Sequence, residues 1–234
     1  MHILVIDGNH VKAEFREKFG PGHEYTYFST HYADLAEQNL RVGEIQVAAQ
    51  VADVVFCFKS AQTFRLFSAS NLPVFAEASC DSLLENLWRE TDVAPDAMLF
   101  GFCGLPTLLN RSLLEVSLYN EANRQKLAET CAALGTNYRI VEDRVGLVTP
   151  RVICQIINEA CFALQEATAS MQDIDLGMKL GTNYPHGPFA WANAIGVERV
   201  YAVLEAMWND THDERYKVCP LLKRQALRGE PFAV

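Results

Sequence analysis

The stretch from Asp173 to Phe189 reads DIDLGMKLGTNYPHGPF and has the composition of a corner between two helices. Ser170, followed by an acid three residues later, is typical of a helix N-cap, so a helix is predicted to begin there. Gly181 is the expected residue just past its end. Pro188 fits the first turn of a second helix, because its ring fixes φ and its missing N–H is not needed there. The stretch therefore predicts a helix, a turn and another helix.

The chain on both sides of this corner continues the helical pattern. Apolar residues recur at helical spacing upstream (Ile153, Ile157, Cys161, Leu164) and downstream (Val200, Val203, Leu204, Met207, Trp208). The helix opened by Pro188 is expected to end at Gly196, and Pro220 is expected to open a last helix that reaches about Leu227. Residues 143–234 are therefore predicted to form an all-helical domain.

The first half of the chain alternates short apolar segments with polar, helical ones. The apolar segments are predicted strands, at 2–6, 25–28, 53–58, 72–76, 98–103, 113–118 and 138–141. Helices are expected at 11–19 and at 121–134, and Gly135 ends the second. Strands that alternate with helices are typical of an α/β protein with a parallel, doubly wound sheet, and this sheet is assigned to residues 1–142.

Composition excludes several classes of function. The chain has 234 residues, a formal net charge of -9 and 50% hydrophobic residues, which are ordinary values for a globular protein with a buried core. The negative charge argues against nucleic-acid binding, which requires a basic face. No apolar run approaches the ~20 residues of a membrane span, so no membrane association is expected. Asp7, His10 and Lys12 interrupt the apolar start, so we expect no signal peptide.

The cysteines and histidines show no metal-binding spacing. The chain has seven cysteines without a CxxC pair and six histidines without an HxxxH pair. A disulfide framework and a zinc site are therefore not expected. Cysteines inside apolar runs are typical of a reducing compartment, which predicts a cytoplasmic protein.

The corner stretch resembles the C-terminal domain of the 3-hydroxyacyl-CoA dehydrogenase family, whose motif runs EDID-x-A-M-K-x-G-x-x-x-P-x-G-P-F/L. The likeness continues through Ala192–Gly196 and the distal Arg215-Tyr216 and Pro220-Leu221-Leu222, and it includes Asn158-Glu159-Ala160. It is dense over 143–228 and looser over 98–142. The resemblance implies a truncated Rossmann-like domain at 1–142, followed by a helical domain at 143–234 that makes a homodimer interface and one wall of an acyl-CoA cleft.

The resemblance also assigns candidate catalytic residues. The segment from Gly101 to Val116 is similar to the family stretch G-L-H-F-F-N-P-V-P-V-M-K-L-V-E-V. Glu115 falls on the family's catalytic Glu, and Cys103 falls on its catalytic His. In the family, that His takes the proton from the substrate hydroxyl while hydride leaves for NAD, and the Glu orients the imidazole. The family's active-site Ser falls at Ser79 or Cys80.

Other positions bear on the substrate and the cofactor. His186 lies in the corner motif and is a candidate for the substrate cleft. Pro150 stands where the family has an active-site Asn, and proline supplies neither a side-chain amide nor a backbone N–H. A dinucleotide fold has G-x-G-x-x-G after its first strand, whereas this chain has Asp7-Gly8-Asn9-His10. Gly8 and Asn9 are the candidate contacts for the NAD that the resemblance implies.

Three functions remain open on these residues. The first is NAD-dependent oxidation of a 3-hydroxyacyl-CoA in fatty acid metabolism. The second is a pseudoenzyme that binds an acyl-CoA thioester or pairs with an active subunit. The third is a reaction in which Cys103 is a nucleophile toward a thioester. Catalytic groups act as a unit, so the joint loss of several favours the second. The sequence leaves open whether the shortened first half has an open cleft or one filled by Phe56, Phe58 and Phe102.

Overall fold

The structure is a computed structural model that describes residues 1–58, 66–67, 71–88 and 97–234. It forms two compact units. The first comprises Met1–Gly104 and Leu109–Leu147, and the second comprises Leu105–Leu108 and Val148–Val234. The short segment 105–108 thus belongs to the second unit, although the chain on both sides of it belongs to the first.

A mixed sheet forms the centre of the first unit. The described residues contribute seven strands: β1 (His2–Ile6), β2 (Glu24–Phe28), β3 (Val54–Cys57), β4 (Val74–Glu77), β5 (Leu99–Phe102), β6 (Leu113–Leu118) and β7 (Asn137–Ile140). Their order in the sheet is β2-β1-β3-β4-β5-β6-β7. All seven predicted strands lie within two residues of their expected bounds, and β1 and β6 have the bounds that were predicted.

The prediction of a wholly parallel sheet is wrong at one pair of strands. β5 and β6 run antiparallel, with Phe102 opposite Val116, while the other neighbouring strands are parallel. The cause is the connection between them. Parallel strands need a crossover of a dozen or more residues, usually a helix, and the connection at residues 103–112 contains no described helix.

Helices cover both faces of the sheet. α1 (Lys12–Phe19) and α4 (Arg124–Leu134) pack on a face rich in phenylalanine, which includes Phe56, Phe75 and Phe100. On the other face, α2 (Leu35–Ala49) contributes Ile45 and α3 (Leu83–Trp88) contributes Leu83 and Leu87. The central strands are buried on both sides, which explains why they are continuous apolar runs.

The second unit is a helical bundle. Its helices are α5 (Thr149–Gln165), α6 (Met171–Thr182), α7 (Pro188–Ile195), α8 (Val197–Thr211) and α9 (Pro220–Arg228). α5 contacts each of the other four. The buried Asn158 joins two segments: its Nδ2 donates to the Lys217 carbonyl at 3.0 Å, and its Oδ1 accepts from the Cys219 N–H at 2.8 Å. No helix in the described part of the chain is long and apolar enough to cross a bilayer.

Helix ends in this unit follow the sequence signals, with one exception. The Ser170 hydroxyl accepts a hydrogen bond from the Asp173 N–H and begins α6. Pro188 and Gly196 bound α7 as predicted. The expected end of α6 at Gly181 is wrong, because the helix continues to Thr182 and ends at Asn183, which has a φ of 56°. Asparagine tolerates this left-handed conformation nearly as well as glycine does.

Candidate functional site

The carboxyl ends of the parallel strands meet at one edge of the sheet. In doubly wound folds, ligands bind outside this edge. The predicted site residues of the first unit all follow or adjoin strand ends there: Gly8 and Asn9 after β1, Ser79 and Cys80 after β4, Cys103 after β5, and Glu115 in the first half of the antiparallel β6. This edge is therefore the candidate site in the first unit.

Cys103 and Glu115 come from adjacent strands at this edge. Because Phe102 pairs with Val116 in an antiparallel register, the residue after the first and the residue before the second come opposite each other. Cys103 is buried, with 4% of its surface exposed, and Glu115 is half-buried. The two positions that the resemblance pairs in catalysis are thus neighbours here, with a thiol where the family has an imidazole.

Glu77, the last residue of β4, was not identified from the sequence. One carboxylate oxygen accepts from the Ser79 N–H at 3.1 Å and from the Gly104 N–H at 3.3 Å. Burial raises the pKa of Glu77, and these hydrogen bonds oppose that shift. The buried Ser79 hydroxyl makes no hydrogen bond of good geometry, although it lies close enough to favour the ionised carboxylate. The signal for Glu77 in the sequence is a single acidic residue at the end of an apolar strand.

The environment of the thiols at this edge disfavours thiolate formation. Burial raises the pKa of Cys80, and the nearby Glu77, Asp81 and Cys103 raise it further. A reactive cysteine needs the opposite surroundings, namely a neighbouring cation or a helix N-terminus. Cys103 lies near enough to act on Cys80, and the environment of Cys80 thus favours a thiol over a thiolate.

We expect the native protein to react slowly with iodoacetamide at pH 7.5. Each cysteine is buried except Cys80, which is half-buried, and the thiolate is the reactive species. Mass spectrometry after a short exposure should show little labelling, whereas urea-unfolded protein should label at all seven cysteines. Rapid, selective labelling of Cys103 in the folded protein would instead support a nucleophile.

Glu77 should give the unfolding free energy a pH dependence that Glu77→Gln lacks. A raised folded pKa means that the folded state holds the proton more tightly than the unfolded state. The stability of the wild type therefore falls as pH rises from the ordinary value of 4.5 through the folded pKa. The glutamine variant keeps a carbonyl acceptor, so its advantage over the wild type should grow across that window and then level off. Urea titrations at several pH values measure the difference; the exposed Glu17→Gln is the matched control, and a difference independent of pH would refute the assignment.

The crevice beside β1 is filled by Phe58. The chain order reverses at β1, which lies between β2 and β3, and this is where doubly wound sheets bind nucleotides. A Cβ added to Gly8 would lie 2.8 Å from one edge of the Phe58 ring, and a Cβ added to Gly104 would lie 2.7 Å from the other edge. A single ring thus spans the space between the ends of β1 and β5.

Two carboxylates near this crevice, those of Asp7 and Asp34, already accept hydrogen bonds from the protein. The Asp7 carboxylate accepts from the Thr30 N–H at 2.8 Å and from its hydroxyl at 2.5 Å. The next acid after β2, Asp34, caps α2 by accepting from the N–H groups of Ala36 and Glu37. A dinucleotide fold needs a glycine-rich loop at β1 and an acid after β2 for the ribose. Here a 3₁₀ turn at Asn9–Val11 follows β1, so these residues do not fit a dinucleotide.

The second unit holds the remaining candidate residue. His186 and Tyr184 lie beside Trp191, with ring centroids 5.8 and 6.1 Å from the indole. The Trp191 Nε1–H donates to the Thr107 hydroxyl at 3.0 Å. Pro150 is buried in the first turn of α5, where its missing N–H is no loss. Within the described ranges, no cluster of three or more His, Cys, Asp or Glu side chains could hold a metal ion.

Comparison with known sequences identifies the second unit. Residues 146–231 match the 3-hydroxyacyl-CoA dehydrogenase C-terminal domain. A stretch of 87 residues is 45% identical to 3-hydroxyadipyl-CoA dehydrogenase of Escherichia coli (strain K12), which is 37% of this chain and 18% of that protein. A stretch of 89 residues is 38% identical to a probable 3-hydroxybutyryl-CoA dehydrogenase of Bacillus subtilis (strain 168), covering 38% of this chain and 31% of that protein. The chain therefore matches less than a third of the length of either relative.

Solved structures share the fold over nearly the whole chain. FadB2 of M. tuberculosis superposes with a TM-score of 0.74 at 16% identity and covers 99% of this chain and 95% of its own. The (S)-3-hydroxybutyryl-CoA dehydrogenase PaaH1 from Ralstonia eutropha gives 0.71 at 18% identity, over 97% and 94%. These likenesses establish a Rossmann-like sheet followed by a helical domain. The helical domain of the chain thus matches the C-terminal domain of the 3-hydroxyacyl-CoA dehydrogenase family.

Proposed function

We propose that the chain binds an acyl-CoA thioester of the 3-hydroxyacyl or 3-oxoacyl type and does not oxidise or reduce it with NAD. The class of ligand is supported by the helical domain, whose relatives are named as dehydrogenases of 3-hydroxyadipyl-CoA and 3-hydroxybutyryl-CoA. The single observation that carries the rest is the thiol of Cys103 opposite Glu115, where the family has its catalytic imidazole.

A buried thiol is a poor substitute for that imidazole. A general base is most effective when its pKa lies near the working pH, and its loss typically lowers the rate by ~10²–10⁴. Cys103 is buried, with 4% of its surface exposed, and a thiol ordinarily titrates further above neutral pH than an imidazole does. Pro150 brings no amide to the start of α5. Among the described positions that the resemblance assigns to catalysis, none supplies an imidazole to accept the hydroxyl proton.

The second candidate is the family's own reaction, NAD-dependent oxidation of a 3-hydroxyacyl-CoA in fatty acid metabolism. The 45% identity to 3-hydroxyadipyl-CoA dehydrogenase over 87 residues favours it. The family model matches the helical domain, at residues 146–231, whereas the NAD-binding loop and the catalytic His and Glu of the family belong to its sheet domain. The reduced cysteines are compatible with either function in the cytoplasm.

A homodimer through the helical domain is the proposed assembly. α6 has no buried residue in the isolated chain, although it carries Ile174, Leu176, Met178 and Leu180. Leu176 is 56% exposed and Leu180 is 73% exposed. Apolar side chains gathered on an uncovered helix are typical of an interface, and this supports a dimer contact in the helical domain.

Isothermal titration with acetoacetyl-CoA, NAD and NADH in parallel tests the function. We expect heat of binding with acetoacetyl-CoA and none with either nicotinamide. Binding of both classes, with turnover that Glu115→Gln abolishes, would establish the dehydrogenase instead. Binding of neither would refute the thioester proposal.

A substitution of Cys103 tests in a second way whether the site can act as a dehydrogenase. Cys103→His restores an imidazole opposite Glu115 but leaves the β1 crevice unchanged. We expect this variant to stay inactive with acetoacetyl-CoA and NADH, because the cofactor has no place to bind. Cys103→Ser is the matched control for the loss of the thiol, and NADH oxidation by the histidine variant would contradict the proposal.

A further inference from the structure

Phe58 is held on several sides by the first unit. It follows β3 directly, and its N–H donates to the Ile6 carbonyl at 2.9 Å, so its backbone extends the sheet. Its ring makes edge-to-face contacts with Phe102 at 5.3 Å, His10 at 5.6 Å and Phe15 at 5.9 Å. Only 8% of the residue is exposed. The ring is therefore a fixed part of the core at the edge where a nucleotide would approach.

The two glycines in contact with this ring are explained by the ring itself. Gly8 has a φ of -91°, which any L-residue adopts, so backbone conformation does not require glycine there. A Cβ at Gly8 would approach the Phe58 ring at 2.8 Å and Val5 at 2.5 Å. A Cβ at Gly104 would approach the ring at 2.7 Å and the Glu77 side chain at 2.9 Å. Both glycines thus leave room for Phe58, and Gly8 leaves room for Val5 as well.

We propose that Phe58 is an internal plug, seated between Gly8 and Gly104, that closes the nucleotide crevice of the sheet. The Asp7 and Glu77 carboxyl groups lie at the same edge and accept hydrogen bonds from backbone N–H groups, and a carboxylate is an unfavourable neighbour for a pyrophosphate. This inference rests on the part of the proposed function that excludes NAD. It does not depend on thioester binding, which acetoacetyl-CoA titration of the same sample reports separately.

A double-mutant cycle tests the contact between plug and glycine. Gly104→Ala in the wild type is expected to lower Tm by ~4 °C or more, because overpacking a filled site destabilises it. The same substitution in a Phe58→Ala background should lower Tm less than it does in the wild type, since the contact with the ring is gone and only the contact with the Glu77 side chain remains. An equal fall in both backgrounds would overturn the proposal. Phe58→Leu, which keeps an apolar side chain, replaces Phe58→Ala in the cycle if the alanine variant does not fold.

NADH titration tests the closure. The wild type is expected to show no binding up to millimolar NADH, and the Phe58 variant that folds should bind it at least tenfold more tightly than the wild type does. The matched control is Phe19→Leu, which alters the same aromatic cluster at a ring that contacts Phe15 and Phe56 and should not gain binding. Wild-type binding in the micromolar range would overturn the plug, and so would an affinity that does not change between the wild type and the Phe58 variant.

Discussion

Replacing Asp143 with alanine is expected to lower the free energy of unfolding by about 3 kcal/mol. The carboxylate accepts three hydrogen bonds: from the Leu83 N–H at 2.9 Å, from the Leu84 N–H at 3.1 Å and from the Ser117 hydroxyl at 3.0 Å. The hydrogen bonds from Leu83 and Leu84 stabilise the first turn of α3, the helix that follows the loop containing Ser79. Ser117 is fully buried in β6, so without Asp143 its hydroxyl would lose its partner away from water.

Asp143→Asn separates these contributions. The amide keeps one carbonyl oxygen, which can still accept from Leu83 and Ser117, and loses the acceptor that Leu84 uses. We expect this variant to lose about 1 kcal/mol, a third of the alanine effect. Urea denaturation followed by circular dichroism measures both variants. A loss below about 1 kcal/mol for Asp143→Ala would show that water or a neighbouring side chain takes over the role of the carboxylate.

The hydrogen bonds of Asp143 could not be predicted from the sequence. The sequence places this residue at the beginning of the predicted helical domain. Its hydrogen-bond partner Leu83 lies 60 residues earlier in the chain. Neither hydrophobic period nor capping motif reports a contact over that separation, because both describe neighbours along one element. A carboxylate that ties a strand to a helix start is visible only when the fold is known.

Local sequence patterns, by contrast, were sufficient to predict most of the strands and helices. β6 was predicted with its observed bounds, because an apolar run between polar segments marks a strand in a covered sheet. Gly135 ends α4 with a φ of 70°, as expected of a helix C-cap. α2 was not located, because Ile45 is its only buried residue while Leu40 and Val47 are exposed, so its apolar positions do not mark a single face. The antiparallel direction of β6 was missed because strand direction depends on the connection and not on the strand.

The candidate site was predictable only where a family motif could be aligned. The resemblance identified Cys103 and Glu115, and the structure brings them to adjacent strands. It did not identify Glu77 or Phe58, because neither stands in for a family site residue. A motif that has been lost indicates which group is missing, but it carries no information about the side chain that fills the space. Packing around Gly8 supplied that information.

Leu180→Asp is expected to convert the proposed dimer to monomers. Burying a leucine side chain contributes about 1.5–3 kcal/mol, and a carboxylate in the same place would be desolvated without a partner. In a two-fold symmetric interface each substitution occurs twice. The combined loss should exceed about 3 kcal/mol, which corresponds to a more than hundredfold weaker association. Light scattering coupled to size-exclusion chromatography measures the mass of the 26.2 kDa chain in each state.

The matched control is Leu40→Asp on α2. Leu40 is 67% exposed and Leu180 is 73% exposed, so both substitutions place an acid on a surface leucine of similar accessibility, but in different units. If the helical domain makes the interface, only the α6 variant dissociates. Dissociation by Leu40→Asp alone would move the interface to the sheet domain, and a monomeric wild type would refute the dimer.

Two glycines of α6 offer a second test of the interface. A Cβ added at Gly177 or Gly181 would meet nothing within 4 Å in the isolated chain. Any destabilisation of the dimer by Gly181→Ala, which adds only this Cβ, would therefore point to a contact with the partner subunit.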